Sequence, residues 1–157
     1  MQQKSGVLPP SIISFCFLLK IILSDEETGF YGVFAKLFKD LSEEDYHFMD
    51  ASEEDYPKFG NSETDVDYVV HQFYGFWQSF YTKKSYVWEE EWDTREAPNR
   101  WVRRKMEQEN AKKTEQARKE RSKEIQALVD WVRRRDPRVK ELLKIAFLFI
   151  HERYFEI

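Results

Sequence analysis

The stretch Val69–Lys105, VVHQFYGFWQSFYTKKSYVWEEEWDTREAPNRWVRRK, holds four of the five tryptophans and a dense run of Phe and Tyr. Each such ring buries roughly 150–250 Å² when packed, so this stretch supplies the core of whatever folds here. Val66, Val69, Val70, Phe73, Phe76, Trp77 and Phe80 fall on one wide face at helical spacing. They predict a helix from Thr64 or Asp65 to about Tyr81. Lys83, Lys84 and Ser85 make the following turn. Tyr86, Val87, Trp88 and Trp92 then fold back over the bundle as a short irregular or helical segment, which Pro98 ends because the residue before a proline disfavours helix. Phe34, Phe73, Trp77, Phe80, Trp88, Trp92 and Trp101 are the expected core.

Toward the N-terminus, Phe30, Phe34, Leu37, Phe38 and Leu41 form a second helical stripe, and Ser24 with Glu27 has capping-box spacing. A helix over 28–41 follows. Between the two stripes, Ser42–Asn61 is acidic, aperiodic and interrupted by Pro57 and Gly60, and reads as a solvated loop. The alternating ligands, central glycine and terminal glutamate of a calcium loop are missing from it.

Toward the C-terminus, Asn99 to about Arg135 contains no Gly or Pro and many strong helix formers. One long helix is expected there, exposed beyond anchors at Trp101 and Met106, until Ile125, Leu128, Val129 and Val132 restore an apolar stripe. Asp136-Pro137 is a helix-start signature, Asp as N-cap and Pro in the first helical position. The fold class is therefore all-α: a small aromatic bundle followed by a long basic helix broken at Asp136-Pro137.

Charge divides along the same line. Residues 24–99 carry 19 acidic and 6 basic side chains, net −13; residues 100–140 carry 15 basic and 7 acidic, net +8. A chain with opposite poles meets a charged partner through one of them, and the basic pole points to nucleic acid or an acidic protein surface. Arg100, Arg103, Arg104, Lys105, Lys112, Lys113, Arg118, Lys119, Arg121 and Lys123 lie on the long segment, and Arg133, Arg134, Arg135, Arg138 and Lys140 form a second cluster. Cations at this density neutralise phosphates and give salt-dependent affinity. The opposing reading is a solvated helix held by i,i+4 ion pairs. The aromatic block is core and not a base-stacking platform, since its rings recur at helical spacing on the acidic half.

Several chemistries lack their residues. His47, His71 and His151 are far apart and without a partner motif, there is no Gly-rich phosphate loop, and Cys16 is the single cysteine. No enzyme, no metal site and no cofactor is expected. Ile12–Leu23 is nearly continuous apolar sequence, short for a membrane span of about 20 residues and without a signal-peptide cleavage site. A membrane partner is not favoured. Residues 1–23 are read as a segment outside the domain, a gene-model artefact or an alternative start in preference to a signal, an anchor or a core-packing segment, and the apolar tail 141–157 as a boundary artefact in preference to a helix that packs back.

The words FYGFWQSF, WEEEWDTREAPNRWVRRKMEQEN and ALVDWVRRRDPRVK resemble the zuotin-homology region that follows the J-domain in the zuotin and DnaJ homolog subfamily C member 21 families, the second being nearer. The resemblance runs from about Ser24 to Lys140. It implies a ribosome or pre-ribosome docking module of a J-domain co-chaperone, active in the cytoplasm and with the nucleus or nucleolus also open. The implied partner is ribosomal RNA or a pre-large-subunit particle, met through the basic helix. The rival class is a protein-interaction scaffold, with the basic segment paired to an acidic protein or to the chain's own acidic loop at residues 42–55. The His-Pro-Asp tripeptide of a J-domain does not occur in the sequence, and neither do the cysteines of the family's zinc fingers. A DnaK-type chaperone is thus a partner only through a J-domain supplied elsewhere.

Overall fold

The computed structural model describes residues 23–46 and 55–155. The expected apolar N-terminal segment lies almost wholly outside these residues, as does the middle of the acidic loop. Among the described residues four helices follow in order: α1, Phe30–Tyr46; α2, a π-helical stretch Tyr68–Tyr74 continued by α-helical Gly75–Gln78; α3, Arg100–Arg133; and α4, Pro137–Phe155. Two 3₁₀ turns, Val87–Glu89 and Thr94–Glu96, lie between α2 and α3. No strand occurs among the described residues.

α1 forms where its stripe predicts, with Phe30, Phe34, Phe38 and Leu41 all buried. It starts at Phe30 instead of at the Ser24 capping box. Residues 24–29 instead form a turn folded onto its first residues, with Gly29 N–H donating to Glu26 O at 2.8 Å. The close approach needs Gly32, where a Cβ would lie 2.2 Å from Glu26 O.

α1 also runs past its expected end, and the reason is Asp45. This carboxylate is buried, accepting from Tyr56 OH at 3.2 Å, Thr82 Oγ1 at 2.5 Å and Lys83 N–H at 3.1 Å. A buried carboxylate costs several kcal/mol unless so paired, so the end of α1 is fixed to two later segments. Burial, then the charge of Asp45, pushes the Tyr56 hydroxyl up to about 12. The acidic sequence read as loop therefore contributes to the core. Phe59, 1% exposed, sits at its centre, within 5.1–6.3 Å of the rings of Phe30, Tyr31, Phe34, Phe38 and Phe73.

α2 joins this cluster through Phe73, edge-on to Phe38 at 4.8 Å, and Trp77, 5.0 Å from Phe38. Phe34, Phe73, Trp77 and Phe80 are core as expected. The π-helical stretch is a departure from the expected regular helix. Ile125, Leu128, Val129 and Val132 of α3 close the core.

The Asp136-Pro137 break forms as read. Asp136 Oδ1 caps the N–H of Arg138 at 3.0 Å, and its carbonyl accepts from Lys140 N–H at 3.1 Å. From Leu142 onward the tail is helical but does not pack back: Leu143, Phe147, Leu148, Phe149 and Ile150 are all exposed. No helix among the described residues is long and apolar enough to cross a membrane.

Candidate nucleic-acid interface

α3 is 34 residues long, about 51 Å at 1.5 Å per residue. Asn99 caps it, its Oδ1 accepting the Val102 N–H at 2.9 Å. What orients the helix is a ladder of polar side chains at every fourth position: Asn110, Thr114, Arg118, Ser122 and Gln126. Residues at that spacing share one face.

Four of these rungs hold the extended strap 80–92, which lies antiparallel to the helix. Gln126 Nε2 donates to Phe80 O at 3.0 Å, and Ser122 Oγ accepts from Thr82 N–H at 3.1 Å. Arg118 donates to Lys84 O at 2.8 Å and Ser85 O at 3.1 Å. Asn110 accepts from the N–H groups of Glu91 and Trp92 at 3.1 and 3.0 Å and donates to Trp92 O at 2.7 Å. An irregular strap must satisfy its backbone polar groups somewhere, and the ladder is where.

The ladder explains where the sequence reading of the core fails. Val87, Trp88 and Trp92 fold back along α3, but the ladder's contacts to the strap are to its backbone, and these side chains stay exposed at 56, 52 and 40%. Trp101 is 65% exposed. It lies nine residues from Asn110, two and a half helical turns, hence on the opposite side of α3. None of these three tryptophans belongs to the core.

The cations also sort into two groups. The first is already engaged by other groups of the chain. Arg118 is a rung. Arg121 bridges Glu44 at 3.6 Å and Glu124 at 3.4 Å, joined at Glu44 by Lys84 at 2.7 Å. Lys113 pairs with Glu91 of the strap and Arg103 with Glu107 at 2.8 Å. Arg133 donates to Gln78 Oε1 at 3.1 Å, and Arg135 stacks 3.8 Å from the centre of the Trp131 ring.

Arg138 departs furthest from the expected surface role. Its side chain is 4% exposed. It forks onto Asp136 at 3.0 and 2.7 Å and donates to the carbonyls of Phe59 at 3.0 Å and Asn61 at 2.9 Å. Tyr31 and Phe59 rings lie 4.9 and 4.7 Å from it. Tyr74 completes the network, its hydroxyl donating to Asp136 at 2.8 Å; burial, then the Asp136 charge, holds that hydroxyl far above its ordinary range.

The second group faces solvent. Lys105, Lys112, Lys119, Lys123 and Arg134 are exposed and follow Trp101 at intervals of four, seven, seven, four and eleven residues. These intervals approximate whole numbers of turns at 3.6 residues per turn, so the five form one stripe along about 44 Å of helix. Lys119 has a loose pair with Glu115 at 3.6 Å, and Lys105 lies 4.3 Å over the Trp101 ring. Lys112, Lys123 and Arg134 have no ion pair among the described residues, and neither do exposed Arg100, Arg104 and Lys140. The sequence signal that marks Arg118 as a rung is the i+4 repeat of hydrogen-bonding residues from 110 to 126, which the reading of net charge passes over.

Asn110→Ala tests the ladder. It strands two strap N–H groups and a carbonyl, at about 1–3 kcal/mol. Hydrogen exchange over 86–96 should accelerate by the corresponding factor of roughly 5 to 150, with helical content unchanged. Unaltered exchange there would show the strap to be held by other contacts.

Residues 29–140 match the family model described as Zuotin-like, zuotin homology domain. The DnaJ homolog subfamily C member 21 of Danio rerio is 50% identical over 125 residues, 78% of this chain and 23% of the relative. That of Homo sapiens is 44% identical over 123 residues, with the same coverage. J protein JJJ1 of Saccharomyces cerevisiae is 38% identical over 88 residues, 56% of this chain and 15% of the relative. The chain thus spans about a quarter of the length of its DnaJ-homolog relatives. No solved structure matches. An aromatic helical bundle that holds out a long basic helix, matched over residues 29–140, places the chain in the zuotin homology domain family of J-proteins.

Proposed function

We propose that this chain is a ribosome-docking module of a J-protein co-chaperone, laying the outer face of α3 on ribosomal RNA phosphates. The observation that carries the reading is the exposed stripe Lys105–Lys112–Lys119–Lys123–Arg134, largely free of ion pairs. Lysines so spaced neutralise phosphates without reading sequence, and a shallow helical RNA groove is recognised by shape and backbone. The bundle and strap aim the helix, and the docked particle is a mature or maturing large subunit in the cytoplasm. A DnaK-type chaperone enters only through a J-domain, for which these residues have no His-Pro-Asp triplet.

One observation favours the scaffold reading. The basic helix already pairs with the chain's own carboxylates, Arg121 with Glu44 and Lys113 with Glu91, so an acidic protein offers the outer face similar partners. Cosedimentation with purified large ribosomal subunits across a salt series separates the two. RNA docking gives a log–log salt slope of about −3 to −5 for four or five phosphates and disappears after nuclease treatment. Binding that survives nuclease belongs to a protein surface, and no binding at low salt refutes docking.

A further inference from the structure

We propose that Trp101 is a stacking platform for an unpaired RNA base, placed at the head of the cationic stripe. The inference rests on the docking reading and narrows its ligand from RNA in general to a single-stranded nucleotide beside the phosphates that the lysines meet.

Three large exposed tryptophans stand on this part of the molecule, and only one is in surroundings that tolerate phosphate. Trp88 and Trp92 are set among Glu89, Glu90, Glu91 and Asp93, whose carboxylates repel a polyanion. Trp101 is the most exposed of the three at 65%. It is flanked along the chain by Arg100, Arg103, Arg104 and Lys105. Arg100 and Arg104 have no ion pair among the described residues, so two guanidinium groups remain available within one turn of the ring.

The fold makes no use of the ring. Trp101 lies opposite the Asn110 rung, contributes nothing to the aromatic cluster, and sits in the first turn of α3, which Asn99 caps independently. Among the described residues the ring's cation–π partner is Lys105, with Nζ 4.3 Å from the ring centre. A cation over a ring marks the electron-rich face, the same face on which a base stacks.

An RNA strand can satisfy both groups at once, with the base against the indole and the phosphate taken by Lys105. The next cation of the stripe, Lys112, lies about 10 Å further along the helix, within reach of the following one or two phosphates. Stacking of this kind is sequence-tolerant, since every base has a π face. A closed duplex keeps its bases stacked internally and offers Trp101 nothing.

The test uses the full chain and two RNA probes across one salt series, a ten-nucleotide oligouridine and a blunt ten-base-pair duplex. Trp101→Ala should weaken oligouridine binding about tenfold and change duplex binding less than twofold. Trp101→Phe should recover most of the affinity, and Trp88→Ala should change nothing. The salt slope should be the same in all four proteins, because no charge is removed. Equal oligouridine affinity of wild type and Trp101→Ala, or an equal loss on both probes, overturns the stacking assignment. Lys105→Glu with Lys112→Glu, Lys119→Glu and Lys123→Glu separates this from the docking reading. If that variant weakens both probes and Trp101→Ala weakens neither, stacking alone fails. If it weakens neither probe, electrostatic docking fails and the inference falls with it.

Discussion

Arg138→Met should lower the stability of the bundle by about 3–5 kcal/mol, the usual cost of leaving one member of a buried ion pair without its partner. Asp136 is 0% exposed and would be left with only the Tyr74 hydroxyl and the Arg138 backbone N–H as donors. The carbonyls of Phe59 and Asn61 would lose their guanidinium donor as well. Against a total of 5–15 kcal/mol for a domain, this is a large fraction. In thermal unfolding it corresponds to a fall in Tm on the order of 10–15 °C. The double variant Asp136→Asn with Arg138→Met should be more stable than Arg138→Met alone, because the stranded charge is gone while the asparagine still caps α4. A single variant within 1 kcal/mol of wild type would mean that water, and not Arg138, satisfies Asp136.

Reversing four lysines of the outer stripe, Lys105→Glu, Lys112→Glu, Lys119→Glu and Lys123→Glu, should abolish cosedimentation with ribosomes while leaving the fold intact. Each phosphate contact contributes about 0.7–0.9 to the salt slope, so losing four reduces it by about 3. Referred to 1 M salt, where the electrostatic contribution vanishes, that is about 300-fold in affinity at 0.15 M, before any repulsion from the new carboxylates. The comparison variant is Arg118→Glu with Arg121→Glu. Those two residues hold the strap and Glu44, so their loss should show first as instability. Cosedimentation that responds equally to both variants would mean the stripe has no special role.

The helices were legible because their signals are local. The stripe of Phe30, Phe34, Phe38 and Leu41, the run from Val69 to Phe80, and the Asp136-Pro137 break each repeat within a few turns. Phe59 was not legible, because nothing near it in sequence is periodic and its burial depends on five rings brought in from α1 and α2. Asp45 was hidden for the same reason, since its three donors come from residues 56, 82 and 83. At the candidate site, the sequence located the basic helix but weighted all its cations alike. Charge is a property of one residue, whereas availability depends on which face the residue occupies. Arg118 and Lys119 are neighbours in sequence, yet one is a rung and the other faces solvent. Trp101 was placed in the core because size alone argued for burial, and only the roll of α3 shows that it points the other way.

The polar ladder has a consequence for the kinetics of encounter. A long helix tethered only at its ends can rotate about its own axis, and a partner must wait for the productive orientation. Here the rungs at 110, 118, 122 and 126 fix that angle along some 16 residues, and slippage to the next equivalent register would require a jump of about 6 Å at every rung together. The charged face is therefore presented in one azimuth before any partner arrives. The orientational entropy is lost during folding instead of on binding, the condition under which a modest set of contacts yields useful affinity.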